Sequence, residues 1–255
     1  MNGIKDLFKP GKLVTAPGIF DGISARIADP FKFELLYMTG YGTVASHLGM
    51  PDAGIASYTD MVGRVQMISN VVNTPFLADG DTGYGGLLNM QHTIRGYELA
   101  GAAGIQIEDQ EFPKKCGHTP GRRVIPIEDM VQKIRVAVET RSSSDFLIVA
   151  RTDARTSYGL DEALKRGEAF AEAGADILFI ESPESVDEME RICASFDAPL
   201  LVNVVDGGST PVLSKQEYID LGYQVAIYPG TGFLACAHAL NSVYGTIKEL
   251  SLIHI

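Results

Sequence analysis

The sequence has few cysteines and no long hydrophobic run. Its three cysteines, Cys116, Cys193 and Cys236, are odd in number and lie far apart, which excludes a disulfide framework and indicates a reducing compartment. The amino-terminal segment has no long apolar core, and no stretch of about 18 apolar residues occurs, so we expect neither a signal peptide nor a membrane span. Together these absences predict a cytoplasmic protein.

Positive charge is also scarce. The 255 residues include 21 Lys and Arg against 32 Asp and Glu, which gives a formal net charge of −11. Because the chain has no basic stripe, we expect it to bind neither nucleic acid nor an anionic membrane. A small anionic ligand would therefore need local positive charge from a metal ion or from a few Arg and Lys side chains.

Short apolar runs alternate with amphipathic segments along the whole chain. Eight runs are rich in Val, Ile, Leu or aromatic residues and mostly lack polar alternation, which predicts strands buried on both faces. These runs cover residues 13–17, 34–39, 75–79, 104–108, 146–151, 176–181, 199–204 and 223–228. The amphipathic segments predict helices at residues 58–72, 90–102, 127–140, 160–173, 185–195 and 232–250. Ser57 or Thr59, and Ser185, are expected to start helices, and glycines within AGAAG and EAGAD are expected near helix stops.

Eight strand–helix units without a Pro-, Gly- or Ser-rich linker predict an α/β fold, a single (β/α)8 barrel over residues 1–255. An open doubly wound sheet is the alternative. It would usually carry a glycine-rich phosphate turn after the first strand, and none is there. In a barrel, catalytic side chains lie at the carboxyl ends of the strands, so those positions carry the functional information.

Carboxylates follow two neighbouring strands. Asp79 and Asp81 come after the third strand and Glu108 ends the fourth, so all three are expected in one barrel mouth. Converging carboxylates raise one another's pKa unless a cation lies between them. Oxygen ligands with no histidine nearby favour Mg²⁺ or Mn²⁺ held largely through waters, with Asp52 as an outer ligand. The alternative is that these charges meet solvent or cap helices.

The segment 109–126 is long for a loop between a strand and a helix, where about 2–6 residues are usual. Its length and its glycines and prolines predict a lid. Lysines at 114 and 115 precede Cys116, and nearby cations depress a thiol pKa, so Cys116 is a candidate reactive thiol. An incidental thiol is the alternative. Arg151, at the end of the fifth strand, is a candidate to grip a carboxylate bidentately; a structural ion pair with Glu181 or Asp153 is its alternative.

Four motifs carry a resemblance to a known family. DGDTGYGG, IEDQ, KKCGH and ARTDAR, in this order, resemble the isocitrate lyase / phosphoenolpyruvate mutase superfamily over nearly the whole chain. Within it the sequence looks most like the small lyases: 2-methylisocitrate lyase, 2,3-dimethylmalate lyase, and the petal death protein with its oxaloacetate hydrolase relatives. Such chains are often labelled carboxyvinyl-carboxyphosphonate phosphorylmutase. The resemblance implies a (β/α)8 barrel, a Mg²⁺ site and a homotetramer that swaps a terminal helix. Little sequence follows the predicted last helix, so a truncated helix and a dimer are the alternative.

The resemblance also implies roles for individual residues. It implies that Asp79 binds the metal directly. It implies that three further carboxylates hold metal-bound waters: Asp52, Asp81 and Glu108. It implies that Cys116 is the catalytic acid. The catalytic residues that it implies are Cys116, Tyr37, Arg151, Glu108 and His118. Substrate contacts are implied at Thr39, Gly40, Tyr41, Asp79, Lys114, Gly117, Arg151, Glu181, Asn203 and Thr231.

The expected reaction is magnesium-dependent cleavage of the C2–C3 bond in a malate-type 2-hydroxy dicarboxylate or tricarboxylate. Its products would be a 2-oxo acid, pyruvate or glyoxylate, and a second carboxylate. Hydrolysis of oxaloacetate to oxalate and acetate is one alternative, although the resemblance suggests that hydrolases favour Ser where this chain has Thr231. Phosphonate P–C mutase chemistry is another, and Cys116 argues against it because the mutases have an Asn-containing segment there. A barrel that binds without catalysis is the last.

Overall fold

The computed structural model describes residues 4–117, 119 and 121–249. Its eight strands run β1 Val14–Ile19, β2 Leu36–Met38, β3 Phe76–Asp79, β4 Gly104–Glu108, β5 Leu147–Thr152, β6 Ile177–Ile180, β7 Leu201–Asn203 and β8 Val225–Tyr228. Neighbouring strands are parallel in the order β6-β5-β4-β3-β2-β1-β8-β7. A parallel bridge between Leu178 and Leu200 joins the two ends of this order and closes the barrel. The (β/α)8 prediction is therefore confirmed, while the extent of the domain over 1–255 stays a prediction.

Ten α-helices surround these strands in the described residues. They are α1 Gly22–Ala28, α2 Gly40–Leu48, α3 Tyr58–Ser69, α4 Leu87–Leu99, α5 Ile127–Thr140, α6 Ala154–Tyr158, α7 Leu160–Glu172, α8 Val186–Ser195, α9 Lys215–Leu221 and α10 Thr231–Lys248. None of these described helices is both long and apolar enough to cross a membrane. Residue 250, where the last helix was predicted to end, lies outside the described residues.

The predicted capping serines and helix-ending glycines lie at helix ends in the structure. Ser57 caps α3 in a reciprocal pair with Asp60, and the Ser185 side chain accepts from the Glu188 amide at the start of α8. Gly101 and Gly174 have φ angles of 96° and 99° just beyond α4 and α7, the left-handed backbone that glycine adopts without steric cost.

Two hydrophobic layers hold the barrel. One lies between the strands and the helices, and the other fills the barrel interior. Side chains alternate between these layers along each strand, because successive residues point to opposite faces. In β5, Leu147 and Val149 face the interior, whereas Ile148 and Ala150 pack outward. This alternation decides which residues reach the barrel mouth.

Candidate active site

The inward register continues to the carboxyl ends of the strands, where polar side chains replace apolar ones. Arg151 follows Leu147 and Val149 in the inward series of β5, and the other strands repeat this pattern. The side chains that the register aims into the mouth are Tyr37, Asp79, Glu108, Arg151, Glu181 and Asn203. All six are at least nine-tenths buried, so their charges and dipoles are poorly screened by solvent and interact strongly.

An acidic cluster at this mouth contains a lysine from the 109–126 loop. Lys114 Nζ lies 2.6 Å from Asp52 Oδ1 and 2.6 Å from Asp81 Oδ1, and Lys114 is only 3% exposed. Asp79 Oδ1 accepts a hydrogen bond of 3.0 Å from the Asp81 amide, which fixes the turn after β3. The four predicted metal-site carboxylates are thus brought to one side of the mouth, with the ammonium between two of them.

Burial controls how these carboxylates titrate. It raises the pKa of Asp81 to about 7, against the opposing charge of Lys114. It also raises the pKa of Asp79 and lifts the pKa of Glu108 well above its usual range, with Arg151 opposing. Carboxylates whose charge is this poorly solvated gain from a cation placed among them.

The donor set fits a hard divalent cation. Glu108 Oε1 is buried and has no hydrogen-bond partner among the described residues. Within the same residues, no three His, Cys, Asp or Glu side chains are already gathered around one metal position. A cation with one direct carboxylate ligand and waters elsewhere, as the resemblance implies, is compatible with this arrangement, because Mg²⁺ commonly keeps several of its waters.

Arg151 is held by three carboxylates. Its Nε and Nη2 donate to the two oxygens of Asp153 at 2.9 and 2.8 Å. Its Nη1 lies 3.2 Å from Glu181 Oε2, and its Nε lies 3.4 Å from Glu108 Oε2. The guanidinium also stacks 5.0 Å from the ring centroid of Phe179. The structural ion pairs that were the alternative for Arg151 are therefore formed, and its side chain still lines the cavity.

Helix α2 starts directly at the end of β2, at residues first predicted only as substrate contacts. Gly40 is packed so tightly against Asp79 that a β-carbon there would lie 2.5 Å from Asp79 Oδ2. Thr39, the N-cap, uses no side-chain hydrogen bond to satisfy the first amides of the helix. Helix N-termini bind anions because their first N–H groups lack partners. The Thr39 amide donates to the Ile19 carbonyl at 3.0 Å, so the backbone donors offered beside the acidic cluster are those of Gly40 and Tyr41.

The 109–126 loop has a paired base and a tip over the cavity. Gln110 forms an antiparallel bridge with Val124. The Gln110 side chain donates to the Lys115 carbonyl at 2.9 Å and accepts from the Lys115 amide at 3.0 Å. Half-buried Cys116 and Gly117 line the cavity, and a β-carbon on Gly117 would lie 2.4 Å from Arg151 Nη2. The loop therefore lies down on the site.

A cavity of about 800 Å³ joins these elements, a size typical of small-molecule sites. The predicted residues that line it are Tyr37, Thr39, Tyr41, Asp52, Asp79, Glu108, Lys114, Cys116, Gly117, Arg151 and Asn203. Four others lie behind or beside its wall: Gly40 against Asp79, Asp81 under Lys114, Glu181 behind Arg151, and Thr231, exposed at the start of α10. His118 lies outside the described residues.

The sequence interpretation missed several polar and apolar contributors. Gln106 accepts a hydrogen bond of 2.9 Å from the Tyr37 hydroxyl, and it lies two residues before Glu108 on the inward register of β4. Alternation within β4 could have identified it. Val205 and Leu234 also line the cavity, but they come from a loop and a helix that carry no periodic signal toward the site.

Comparisons with known proteins agree with the barrel fold. The phosphoenolpyruvate phosphomutase family model matches residues 4–248. The chain is 47% identical over 246 residues to the 2,3-dimethylmalate lyase of Eubacterium barkeri, covering 96% of this chain and 85% of that protein. Among solved structures, oxaloacetate acetylhydrolase with 3,3-difluorooxalacetate gives a TM-score of 0.95 at 35% identity, covering 99% and 87% of the two chains. A phosphonopyruvate hydrolase complex with oxalate and Mg²⁺ gives a TM-score of 0.88 at 29% identity, covering 98% and 87%.

Proposed function

The chain belongs to the isocitrate lyase / phosphoenolpyruvate mutase superfamily and is an enzyme, and from that premise we propose that it is a magnesium-dependent carbon–carbon lyase. Its substrate would be a substituted malate-type 2-hydroxy acid, cleaved between C2 and C3 to a 2-oxo acid and a second carboxylate. One observation carries this proposal: a buried acidic cluster and a loop thiol, Cys116, face the same cavity of about 800 Å³.

We assign the metal to the carboxylates of Asp79, Asp52, Asp81 and Glu108, with Mg²⁺ as the ion and Mn²⁺ as a substitute. The phosphonopyruvate hydrolase structure, which contains Mg²⁺ and oxalate, supports this choice, as does the oxygen-only donor set. When bound, a divalent cation lowers the pKa of a coordinated 2-hydroxyl and polarises the 2-oxo group that forms.

The chain's own residues would bind the substrate as an anion. The amides of Gly40 and Tyr41 at the start of α2 would donate to one carboxylate. Arg151, fixed by Asp153 and Glu181, would donate to the half that becomes the 2-oxo acid. The Tyr37 hydroxyl stays protonated, because burial and then the charge of Asp79 raise its pKa well above the usual value, and it would exchange its hydrogen bond to Gln106 Oε1 for one to the substrate.

Two proton transfers are needed, and two groups suit them. Glu108 Oε1 would accept the proton of the 2-hydroxyl, because this residue lines the cavity and its Oε1 has no hydrogen-bond partner among the described residues. As the C2–C3 bond breaks, C3 takes the electron pair as a carbanion delocalised into its carboxylate. The Cys116 thiol would protonate C3, and the loop would exclude the water that competes with it.

The outer wall of the cavity favours alkyl substituents. Pro51, Ala53, Val205 and Leu234 contribute apolar surface there. A buried methylene gains about 0.8 kcal/mol, and a hydrophobic pocket discriminates one methylene by about 10–200-fold. We therefore expect alkylated malates to react faster than malate itself.

A substrate panel tests the activity. Enzyme and Mg²⁺ are mixed with malate, 2,3-dimethylmalate and 2-methylisocitrate, and 2-oxo acid formation is followed with and without EDTA. We expect EDTA-sensitive 2-oxo acid release, with the highest kcat/KM for an alkylated substrate. If no substituted malate yields a 2-oxo acid while the metal binds normally, the lyase proposal is wrong.

Hydrolysis of oxaloacetate is the second candidate, because the acetylhydrolase structure matches this chain with a TM-score of 0.95. In the sequence, Thr231 argued against a hydrolase, but this residue is exposed and does not line the cavity. An oxalate assay separates the two reactions. Oxalate formed from oxaloacetate, without cleavage of any malate, would favour the hydrolase.

We also propose that the protein is a homo-oligomer, with a tetramer expected. Helix α10 has no buried residue in 18 positions, and it exposes Leu234, Leu240, Tyr244 and Ile247. A stripe of this kind is usually covered by a partner. Light scattering after size-exclusion chromatography tests the assembly, and a monomer at micromolar concentration would refute it.

A further inference from the structure

Two adjacent arginines of the 109–126 loop have opposite environments. Arg122 is 4% exposed, whereas the side chain of Arg123 is 75% exposed and pairs with Glu111 on the same loop. Arg122 Nη1 donates to Asp153 Oδ1 at 2.5 Å, and its Nη2 donates to Thr156 Oγ1 at 2.5 Å and to Ser182 Oγ at 3.3 Å. Arg122 is therefore a buried anchor of the loop on the barrel, in addition to Lys114.

The anchor shares its acceptor with the site. Asp153 Oδ1 accepts from Arg122 and also from Arg151 Nη2, at 2.8 Å. Gly117, at the loop tip, lies against the same Arg151 nitrogen. The Ser157 hydroxyl adds a hydrogen bond of 2.5 Å to the Arg122 carbonyl. One carboxylate thus fixes both the guanidinium at the mouth and the loop that carries Cys116.

We propose that Arg122 is a positioning residue: acting through Asp153, it holds Cys116 over the cavity and keeps Arg151 in its inward orientation. Its effect on the loop follows from the contacts alone, whereas its effect on turnover rests on the proposed lyase function. Because Arg122 does not line the cavity, it acts without touching the substrate.

A charge on the loop is not by itself sufficient for this role. Arg123 supplies the same charge one residue later, but its partner, Glu111, belongs to the loop and ties it to nothing else. Arg123→Gln is therefore a matched control for Arg122→Gln. Arg122→Lys is the conservative variant, because an ammonium can reach Asp153 but cannot also present a second nitrogen to Thr156 in the planar fork of a guanidinium.

Thiol alkylation tests the loop directly, without any substrate. Each variant is treated with iodoacetamide, and the labelling of Cys116 is measured by peptide mass spectrometry, with an added cysteine-containing peptide as the internal reference. We expect Arg122→Gln to label Cys116 several-fold faster than the wild type, Arg122→Lys to be intermediate, and Arg123→Gln to match the wild type. Equal Cys116 labelling in folded Arg122→Gln and Arg123→Gln would overturn the proposal.

Kinetics test the consequence for turnover. Misplacement of a catalytic group by about 1 Å can cost about a hundredfold in rate, so we expect Arg122→Gln to lower kcat far more than it raises KM. Arg123→Gln should leave both unchanged, and Arg122→Lys should recover part of kcat. An unchanged kcat in a variant with fast Cys116 labelling would refute the effect on catalysis.

The two proposals can fail separately. If the wild type cleaves no substrate, the lyase function is lost while alkylation still decides the role of Arg122. Should Arg122→Gln not fold, Thr156→Val removes the second anchor and keeps the Arg122–Asp153 pair. It should then accelerate Cys116 labelling to a smaller extent, and no acceleration in Thr156→Val and Arg122→Lys would equally overturn the proposal.

Discussion

Lys114 Nζ lies 2.6 Å from Asp81 Oδ1, at the heart of the acidic cluster. The lysine comes from the 109–126 loop, and the aspartate follows β3, so this ion pair joins that loop to the proposed metal site. The ammonium offsets part of the repulsion among four buried carboxylates. It is also the charge that a divalent cation would meet on entering the cluster.

Removing the Lys114 charge should strengthen metal binding. In Lys114→Met the cluster keeps its carboxylates but loses the ammonium that repels a second cation. At an effective dielectric constant of about 20, two unit charges about 4 Å apart interact by about 4 kcal/mol, so we expect Mg²⁺ affinity to rise at least about tenfold. Isothermal titration calorimetry at pH 8 measures it.

Lys115→Met is the control for this experiment. Lys115 is exposed and its Nζ donates to the Gly121 carbonyl at 3.1 Å, although the residue also lines the cavity. Its variant should bind Mg²⁺ as the wild type does. Weaker Mg²⁺ binding by Lys114→Met would contradict our view that the ammonium and the metal oppose each other.

Cys116→Ser should abolish most turnover and preserve metal binding. A serine hydroxyl is a far weaker acid than a thiol, and loss of a positioned acid or base costs about 10²–10⁴-fold in rate. Steady-state kinetics with the best substrate of the panel, together with Mg²⁺ calorimetry, check both halves. Cys236→Ser, at an exposed position on α10, should keep full kcat, and an active Cys116→Ser would remove the thiol from the acid role.

Stability should depend on pH in a way that magnesium reverses. Burial raises the folded-state pKa of Asp81 from 3.8 to about 7, so the metal-free folded state holds a proton that the unfolded state has lost. The contribution of Asp81 to the free energy of unfolding is therefore largest below pH 4 and falls as pH rises toward about 7. Asp79 and Glu108 shift in the same direction.

Magnesium requires the ionised carboxylates, so it should stabilise the fold most at the alkaline end of this range. The measurement is the difference in Tm between excess Mg²⁺ and EDTA, taken from pH 5 to pH 8. We expect the difference to grow steadily with pH. A difference that is the same at both ends would show that these carboxylates do not take up protons in the metal-free protein.

All eight strands could be predicted from the sequence, because strands buried on both faces read as continuous apolar runs. Helix α2 could not. Its sequence, GYGTVASHL, begins without a loop at the end of β2 and contains two glycines, so local propensity gives little signal. The short helices α1, α6 and α9 were also missed, since five to seven residues show too little periodicity to identify.

The candidate site was predictable wherever it depends on the strands. Asp79, Glu108 and Arg151 reach the mouth because each is the last inward-facing residue of its strand, and the alternation along the strand predicts this. The sequence does not predict the environments of Lys114 and Arg122. In the sequence Lys114 resembles Lys115 and Arg122 resembles Arg123, and only the path of the loop decides which of each pair is buried.

Gly40→Ala should impair metal binding through a single methyl group. A β-carbon at residue 40 would lie 2.5 Å from Oδ2 and 3.0 Å from Cγ of Asp79, closer than atoms can approach, so the carboxylate must move. Displacing the assigned direct ligand should weaken Mg²⁺ binding by about 10–100-fold, the cost typical of disturbed ligand orientation.

The matched variant is Gly63→Ala, inside α3, where a β-carbon meets nothing within 4 Å. It should raise stability by about 0.5–1 kcal/mol, because alanine favours a helix interior, and leave Mg²⁺ affinity unchanged. Calorimetry and thermal unfolding of the two variants separate the effects. If Gly40→Ala binds Mg²⁺ as tightly as Gly63→Ala does, then Asp79 is not the direct ligand, and the assignment of the metal to this side of the mouth fails with it.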